Sequence, residues 1–343
     1  MRHALAAVVW LIAALPALAF EVEAERRFGP EGAARQVRVL ATTDIGFFAP
    51  LAEAFLAQQP GLSLHYVQAA STEVHRAIDA EGAGFDLVIS TAMDLQMKLA
   101  NDGFARALPS DLVEGLPGWA HWRDRLVSIA QEPATLLIAE SALPEGQPLP
   151  RSRRDLIALL RDHPEVFDRR IGTYDPQVSG VGYLFLTQDD RLSDSIWRLA
   201  EVMGRLNARL YCCSGLMIDG LLSGELVMAY NVLGSYAAAN LPPESGVRAI
   251  LLEDFTLTLQ RTAMVPVNAP APDLGALLLG FILSPQGQAI QMQASADAVI
   301  PAERFASQPW LRPIRLDPGL LSSLDGMTRQ RFLAEWSAAL DQL

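Results

Sequence analysis

The chain has 343 residues, half of them hydrophobic, with 27 basic and 39 acidic residues and a formal net charge of −12. An acidic surface of this kind repels nucleic acid and anionic membranes, so the composition predicts no nucleic-acid partner. The length suits two lobes of the usual ~100 to 200 residues, each with a hydrophobic core of its own.

The first 19 residues have the pattern of a cleavable signal peptide. Arg2 and His3 precede an apolar run over residues 4–15, and Ala17-Leu18-Ala19 is a small-x-small site that signal peptidase accepts. The run is shorter than the roughly 20 residues that span a bilayer, and no cysteine follows it for lipid attachment. We therefore expect a periplasmic, monomeric protein whose mature chain begins at Phe20.

Residues 37–102 repeat one unit three times: a strand, a polar stop and a helix. Strands are predicted over residues 37–41, 62–68 and 85–89, which favours a mostly parallel sheet with its ligand at the carboxyl ends of the strands. A small polar residue in such a place is also an ordinary helix cap, but three in register at one sheet edge favour a ligand site. The candidate residues at this edge are Thr42, Thr43, Asp44, Ser71, Thr72, Ser90 and Thr91.

Two long extended segments predict crossings between the lobes. The first is residues 126–139, where Pro133 restricts the strand to an edge or hinge position, and the second lies within residues 251–267. Lobe one is then formed by residues 20–132 and 252–343, and lobe two by residues 133–251, with hinge closure between them. Apolar residues at helical spacing over 320–343 predict a terminal helix that packs back on a lobe.

Residues 171–231 hold the second group of candidate ligand-binding residues. A strand over residues 171–174 breaks at Asp175-Pro176, and helices are predicted to start near Ser179 and Ser214. Free amides at helix starts carry partial positive charge and attract anions. Residues 224–231 read as a buried strand that ends on two polar residues. The candidates in this lobe are Ser179, Gly180, Tyr183, Ser214, Tyr230 and Asn231.

The two cysteines, Cys212 and Cys213, are adjacent, so no long-range disulfide can form within one chain. Three interpretations stay open: two buried free thiols, a vicinal disulfide in a strained eight-membered ring, or a thiolate pair for a soft metal. Metal binding lacks the nearby histidine or further cysteine that such sites use. We therefore predict no metal and no cofactor.

Enzyme motifs are missing from the sequence. There is no His-x-x-x-His or Cys-x-x-Cys pattern and no Gly-x-Ser-x-Gly elbow, and the glycine-rich segment from Ser179 lacks the lysine of a phosphate-binding loop. We expect no enzymatic activity, and a periplasmic hydrolase is the weaker alternative.

The order and spacing of these segments resemble the periplasmic substrate-binding proteins of ABC importers, in the cluster that includes ferric-iron-binding and phosphoglycerate-transport regulatory proteins. The resemblance covers nearly the whole mature chain and rests on residues 42–44, 85–90, 174–183, 214–225 and 281–288. It implies a type II two-lobed α/β fold with two hinge-crossing strands, capture of a small solute in the cleft between the lobes, and delivery to a membrane permease. The alternative is a co-sensor that binds the solute and docks on the periplasmic domain of a sensor histidine kinase.

The chain departs from the ferric-binding members at the metal ligands. Those members place two consecutive tyrosines after the strand that here ends at Tyr230, where this chain has Asn231-Val232. The family's acidic ligand falls on Ser90-Thr91-Ala92, with no carboxylate before Asp94. Because ferric iron requires anionic oxygen ligands, the sequence predicts that the solute is not ferric iron.

The remaining chemistry favours an organic or phosphorylated anion. Serine and glycine at the two helix starts offer neutral donors. Arg76 or Arg154 could complete a bidentate clamp, although each is also explained as a solvated helix charge.

Overall fold

The computed structural model describes residues 20–294, 300–301 and 304–341, so the predicted signal peptide lies outside the described residues. No helix in those ranges is long and apolar enough to cross a membrane. The strands are β1 (Ala24–Phe28), β2 (Arg35–Ala41), β3 (Leu62–Gln68), β4 (Leu87–Ser90), β5 (His121–Trp122), β6 (Leu126–Ala139), β7 (Ile171–Tyr174), β8 (Arg209–Tyr211), β9 (Met228–Leu233), β10 (Val247–Ile250), β11 (Thr256–Met264) and β12 (Leu311–Pro313). The helices are α1 (Ile45–Ala57), α2 (Ser71–Asp79), α3 (Met93–Asn101), α4 (Arg153–Asp162), α5 (Pro164–Phe167), α6 (Gly180–Leu192), α7 (Ser195–Arg205), α8 (Ser214–Leu222), α9 (Gly234–Asn240), α10 (Pro272–Leu283), α11 (Pro285–Ala294), α12 (Arg304–Ser307) and α13 (Gly326–Leu340).

The strands follow the hydrogen-bonded order β1-β3-β2-β4-β11-β6-β9-β7-β8. In the first half, β2 pairs in parallel with β3 and β4, and in the second half β7 pairs in parallel with β8 and β9. Alternating strands and helices produce this parallel pairing because each helix returns the chain to the same end of the sheet. The predicted two-lobed α/β class is confirmed by this architecture.

Strand β6 connects the two halves by changing its partner. Residues 127–133 pair with β11, whereas residues 134–139 pair with β9 and β10. The return crossing lies between β10, which pairs in the second half, and β11, which pairs in the first. The change of pairing partner at Pro133 agrees with the predicted lobe boundary after residue 132. The division of the chain into these two domains stays a prediction.

Within the described part of the chain, the buried side chains form three core clusters. One fills lobe one around Phe48 and Leu278, and another fills lobe two around Leu160 and Leu199. The third contains residues from both lobes, including Met93 and Leu184. Burial of apolar area shared by the lobes stabilises them in contact, at about 25 cal/mol per Å² removed from water.

Several elements differ from the sequence prediction. Strand β1 was not predicted, because only Phe28 of its five residues is buried and the strand lies at a sheet edge against β3. The sequence pattern predicts the first helix over residues 50–58, but helix α1 begins at Ile45 and has Pro50 inside it. The terminal helix α13 was assigned to lobe one, but Phe332 and Trp336 pack in the lobe two core against α7. Its apolar spacing predicts a helix but does not identify the surface that the helix covers.

Candidate functional site

A cavity of about 250 Å³ lies where the carboxyl ends of β2, β3 and β4 face α6 and α8. It is therefore formed by both lobes, at the sheet edge that the sequence predicted. Six of the predicted residues line it: Thr42, Asp44, Ser71, Thr91, Ser179 and Ser214.

The lobe one wall carries two carboxylates joined by an amide. Gln68 Nε2 donates to Asp44 Oδ1 at 2.8 Å and to Glu23 Oε2 at 3.1 Å, while its Oε1 accepts from the amide of Ile45 at 3.1 Å. Burial raises the pKa of Asp44 above its ordinary value, and the hydroxyl of Tyr236 and the charge of Arg261 oppose that shift. This wall presents hydrogen-bond acceptors to the cavity.

Threonines hold the neighbouring strand ends together. Thr42 Oγ1 accepts from the amide of Thr91 at 3.2 Å, and the two hydroxyl oxygens are 3.4 Å apart. Because both side chains line the cavity, their hydroxyls add neutral donors and acceptors to the lobe one wall.

The lobe two wall is the start of α8. Ser214 is buried, and its Oγ accepts from the amide of Leu233 at 3.2 Å and lies 2.6 Å from the hydroxyl oxygen of Tyr174. The backbone amides of Ser214 and Gly215 have no hydrogen-bond partner among the described residues, as is normal in a first helical turn. This wall therefore presents backbone donors with partial positive charge.

One hydrogen bond crosses directly between the lobes beside the cavity. The amide of Gly180, at the start of α6, donates to Ser71 Oγ at 3.2 Å. Ser179 caps α6, with its Oγ accepting from the amide of Gly182 at 3.2 Å. The Gly180 amide is thus occupied by protein, and Ser71 acts as a bridge rather than as a helix cap.

Four other candidates lie outside the lining of the cleft. Thr43 is buried and accepts a hydrogen bond from Arg261, and Ser90 Oγ accepts from the amide of Ala92 at 3.1 Å. Thr72 and Tyr183 line a separate cavity of about 280 Å³ next to the Ser71–Gly180 contact. Adjacent residues of a strand point to opposite faces, and adjacent residues of a helix point in different directions, which separates these side chains from their neighbours in the sequence.

Tyr230 and Asn231 are also absent from the cleft lining, and both side chains are buried. The Tyr230 hydroxyl donates to Asp189 Oδ2 at 3.1 Å, and Asn231 Nδ2 donates to the same oxygen at 2.8 Å. Asn231 has φ 63°, a left-handed conformation that asparagine tolerates better than most residues. Both side chains hold a buried carboxylate rather than presenting polar groups to a solute.

The predicted arginine clamp is absent from the cleft lining among the described residues. Arg76 pairs with Glu73 and Glu81 at 3.3 and 3.1 Å, and Arg154 is exposed on α4. No lysine, arginine or histidine appears among the described residues that line the cavity.

Sequence reasoning missed several lining residues. Gln68 is the last residue of β3 and could have been found by the same strand-end rule, whereas Glu23 precedes the unpredicted strand β1. Tyr236, on α9, reaches the cleft only through the tertiary packing of lobe two. The tyrosines that line the cavity are Tyr174 and Tyr236, and burial raises the pKa of each above its ordinary value.

The separate cavity beside the cleft contains Asp94, a buried carboxyl whose Oδ2 has no partner among the described residues. Burial raises its pKa from 3.8 to about 7. As pH rises from 4 to 7, Asp94 ionises in the unfolded chain but stays protonated in the native protein. The free energy of unfolding of the wild type therefore falls over this range. Asp94→Asn removes this titration. We therefore expect the free energy of unfolding of the variant to rise, relative to that of the wild type, by a few kcal/mol between pH 4 and pH 7.

Urea unfolding at a series of pH values measures this difference. The matched control is Asp102→Asn, because Asp102 accepts a hydrogen bond from Lys98 that lowers its pKa. Asp102 makes the wild type more stable as pH rises. Asp102→Asn therefore changes the dependence of the free energy of unfolding on pH in the opposite direction to Asp94→Asn. Parallel profiles for wild type and Asp94→Asn would show that Asp94 is ionised in the native state.

Residues 37–294 match the family of bacterial extracellular solute-binding proteins. The chain is similar to the substrate-binding protein of an ABC transporter from Agrobacterium tumefaciens, with 31% identity, a TM-score of 0.85, and coverage of 92% of this chain and 98% of the other. It has the fold of AfuA from Actinobacillus pleuropneumoniae, solved with fructose-6-phosphate, with 14% identity, a TM-score of 0.72, and coverage of 90% and 100%. It also has the fold of iron-bound HitA from Pseudomonas aeruginosa, with 16% identity, a TM-score of 0.68, and coverage of 89% and 99%.

No curated protein sequence matches the chain significantly. The chain belongs to the bacterial extracellular solute-binding proteins, and the resemblance to substrate-binding proteins of ABC importers is confirmed. Proteins of this class bind small solutes and deliver them to membrane permeases.

Proposed function

We propose that this protein is the periplasmic receptor of an ABC importer and that its solute is a small zwitterion. The proposal of a zwitterion rests on one observation: the two cleft walls present groups of opposite charge. Lobe one presents the carboxylates of Asp44 and Glu23, and lobe two presents the unpaired amides of Ser214 and Gly215.

Each wall suits one end of such a solute. An ammonium group donates to carboxylates, and a charge-assisted hydrogen bond of this kind is about twice as strong as a neutral one. A carboxylate or sulfonate accepts from the amides of a helix start. A solute that contacts both walls at once stabilises the closed arrangement of the lobes, since it binds the open one with one end only.

A purely anionic solute, which the sequence favoured, has weaker support from the geometry. The start of α8 still offers donors, but the Gly180 amide is occupied and neither expected arginine lines the cavity. Two carboxylates on the opposite wall repel an anion. The anion hypothesis is therefore an outcome of the test below rather than the proposal.

Iron binding is disfavoured by the side chains available as ligands. Ferric iron is held by anionic oxygen ligands such as phenolates, and this chain has Asn231-Val232 where the ferric-binding members have two consecutive tyrosines. No group of three or more His, Cys, Asp and Glu side chains within the described ranges could hold a metal ion. The co-sensor alternative draws no support from the family or from the structural relatives.

A thermal-shift panel tests the proposal. The zwitterions are glycine, γ-aminobutyrate and taurine, the anions are succinate and glucose 6-phosphate, and putrescine and ferric citrate complete the set. We expect a zwitterion to raise the melting temperature, by the equivalent of about 2.7 kcal/mol at one hundred times the dissociation constant. A shift with anions alone, or with ferric citrate alone, would overturn the zwitterion class.

Variants then test the carboxylate wall. We expect Asp44→Asn and Glu23→Gln each to weaken binding of the zwitterion about 10- to 100-fold, since a hydrogen bond to a charged group contributes about 1.5 to 3 kcal/mol. Isothermal titration calorimetry measures the affinity. Glu53→Gln is the matched control, because Glu53 is an exposed carboxylate on α1 outside the cleft, and it leaves the affinity unchanged. Wild-type affinity in both cleft variants would contradict the assignment.

A further inference from the structure

Cys212 and Cys213 lie on the wall of the cleft, and the zwitterion contacts proposed above do not use them. They connect β8 to α8, both side chains are exposed, and both line the cavity beside Ser214 and Gly215. Their Sγ atoms are 3.2 Å apart. Because the chain contains no other cysteine, neither thiol has an alternative partner within it.

We propose that Cys212 and Cys213 form a modification site, at which a dithiol-disulfide oxidant converts the two thiols reversibly into a vicinal disulfide that weakens solute binding. Formation of the disulfide stands independently of the solute. The effect on binding rests on the proposed function, because it acts through the amides at the start of α8.

The reaction is a thiol–disulfide exchange in two steps. The Cys212 thiolate attacks one sulfur of the oxidant's disulfide and displaces the first oxidant thiolate, which gives a mixed disulfide. The Cys213 thiolate then attacks Cys212 Sγ, closes the eight-membered ring and displaces the second oxidant thiolate. Two electrons pass from the pair to the oxidant, and the two cysteine protons end on the two released thiols.

The environment sets the order of these steps. The protein around the Cys213 sulfur partly removes it from water and raises the pKa of this thiol above its ordinary value, so Cys213 is the poorer first nucleophile near neutral pH. Cys212 therefore makes the first attack on the oxidant. The 3.2 Å separation then places the second sulfur next to the mixed disulfide, and this proximity compensates for its low thiolate fraction.

Reversibility follows from strain and exposure. An eight-membered ring forces the connecting peptide out of its relaxed geometry, and a strained or exposed disulfide is more easily reduced than a structural one. A vicinal pair also joins no distant parts of the chain, so it adds almost no restriction to the unfolded state. The pair is therefore suited to cycle between forms rather than to stabilise the fold.

The interpretation as a soft-metal site has less support. Thiolate sites for zinc use four ligands, and no third His, Cys, Asp or Glu joins the pair in a metal-binding group among the described residues. Two exposed thiols alone leave the remaining positions to solvent, whereas the exchange reaction requires only the pair itself.

Ring closure would act on the cleft through the backbone. Cys213 is the residue before α8 and is extended, with φ −152° and ψ 160°. Closing the ring changes these dihedral angles, and the next residue is Ser214, whose side chain is fixed by Tyr174 and Leu233. The N–H groups of Ser214 and Gly215 then no longer point in the direction that they have in the reduced protein.

Oxidation of the purified protein tests the modification. The protein is equilibrated with oxidised glutathione or with a thioredoxin-fold oxidant, treated with an alkylating agent and weighed by intact mass spectrometry. We expect a product lighter by two hydrogen atoms that resists alkylation and returns to two free thiols in reduced glutathione. Glutathione adducts alone, or two thiols that remain free, would overturn the proposal. Cys212→Ser and Cys213→Ser are matched controls that retain one thiol and can form only the mixed disulfide.

Two further measurements test the effect on the cleft. Hydrogen exchange of the α8 amides is compared between the oxidised and reduced forms, and faster exchange in the oxidised form is expected. The zwitterion panel is then applied to both forms, with binding about tenfold weaker after oxidation, which corresponds to about 1.4 kcal/mol. Equal exchange and equal affinity would refute the coupling to α8. If no panel compound binds either form, the solute class fails while the mass and exchange results still decide the modification.

Discussion

Replacement of Arg153 by alanine is expected to destabilise the protein by about 3 to 5 kcal/mol, because it leaves a buried carboxylate without its counter-ion. Arg153 Nη2 donates to Asp189 Oδ1 at 2.8 Å, and both side chains are at most 3% exposed. Its other nitrogens donate to the Tyr230 hydroxyl at 2.8 Å and to the Phe255 carbonyl at 2.7 Å. Urea unfolding measures the loss.

The same variant should become pH-sensitive. Burial raises the pKa of Asp189, and Arg153 is the main group that opposes the shift. Without Arg153 the native pKa rises further above the unfolded value, so the variant's stability falls as pH increases from about 4. Arg154→Ala is the matched control: it removes the exposed neighbouring arginine on the same helix and is expected to change stability by less than about 0.5 kcal/mol. Similar losses in both variants would show that the buried network is not responsible.

Replacement of Glu132 by alanine is the second large expected effect, again about 3 to 5 kcal/mol. Glu132 Oε1 accepts from Arg261 Nε at 2.9 Å and from Nη2 at 2.6 Å, and the side chains are 2% and 8% exposed. Arg261 also donates to Thr43 of lobe one, and Ser235 of lobe two donates to Glu132. The pair therefore connects both lobes at the crossing strands, and its loss should also weaken solute binding.

A double replacement distinguishes the effect of the two charges from the effect of the side-chain volume. Glu132→Leu with Arg261→Met removes both charges and keeps similar bulk, and apolar replacement of a buried ion pair is often neutral or stabilising. We expect the double variant to recover most of the stability that Glu132→Ala loses. Its solute affinity should stay low, because the hydrogen bonds to Thr43 and Ser235 are not restored. A double variant as unstable as the sum of its single replacements would contradict this account.

The two cleft walls were predictable to different degrees. The lobe one edge followed from local pattern, because a strand, a polar stop and a helix repeat, and parallel strands bring their stops to one edge. This logic located Thr42, Asp44, Ser71 and Thr91 in the lining. It failed for Thr43 and Ser90 because neighbouring residues face opposite sides of a strand end.

The lobe two wall was less accessible to local reasoning. The predicted strand at residues 224–231 is β9, which runs from Met228 to Leu233, so the strand continues past the two polar residues that were taken as its exposed end. Tyr230 and Asn231 are consequently buried, with their polar atoms on Asp189 from α6. A polar residue in an apolar run marks either a surface or a buried partner, and the partner here lies about forty residues away in the sequence.

The sequence by itself determined the class of the protein and most of its elements. The bounds of β3, β6 and β7 match the predicted segments, because strand pattern depends on residues within a few positions of one another. Signals of that range also predicted the crossing at Pro133 and the helix starts at Ser179 and Ser214, close to where α6 and α8 begin.

Only the tertiary structure decided the chemistry of the cleft. Glu23 and Tyr236 enter the lining from β1's leading segment and from α9, and the expected arginines lie elsewhere. The charge at a site is the sum over side chains that packing brings within a few ångströms, and long-range packing leaves no periodic trace in the sequence. For the same reason, the sequence predicted α13 but only the structure shows that it covers lobe two.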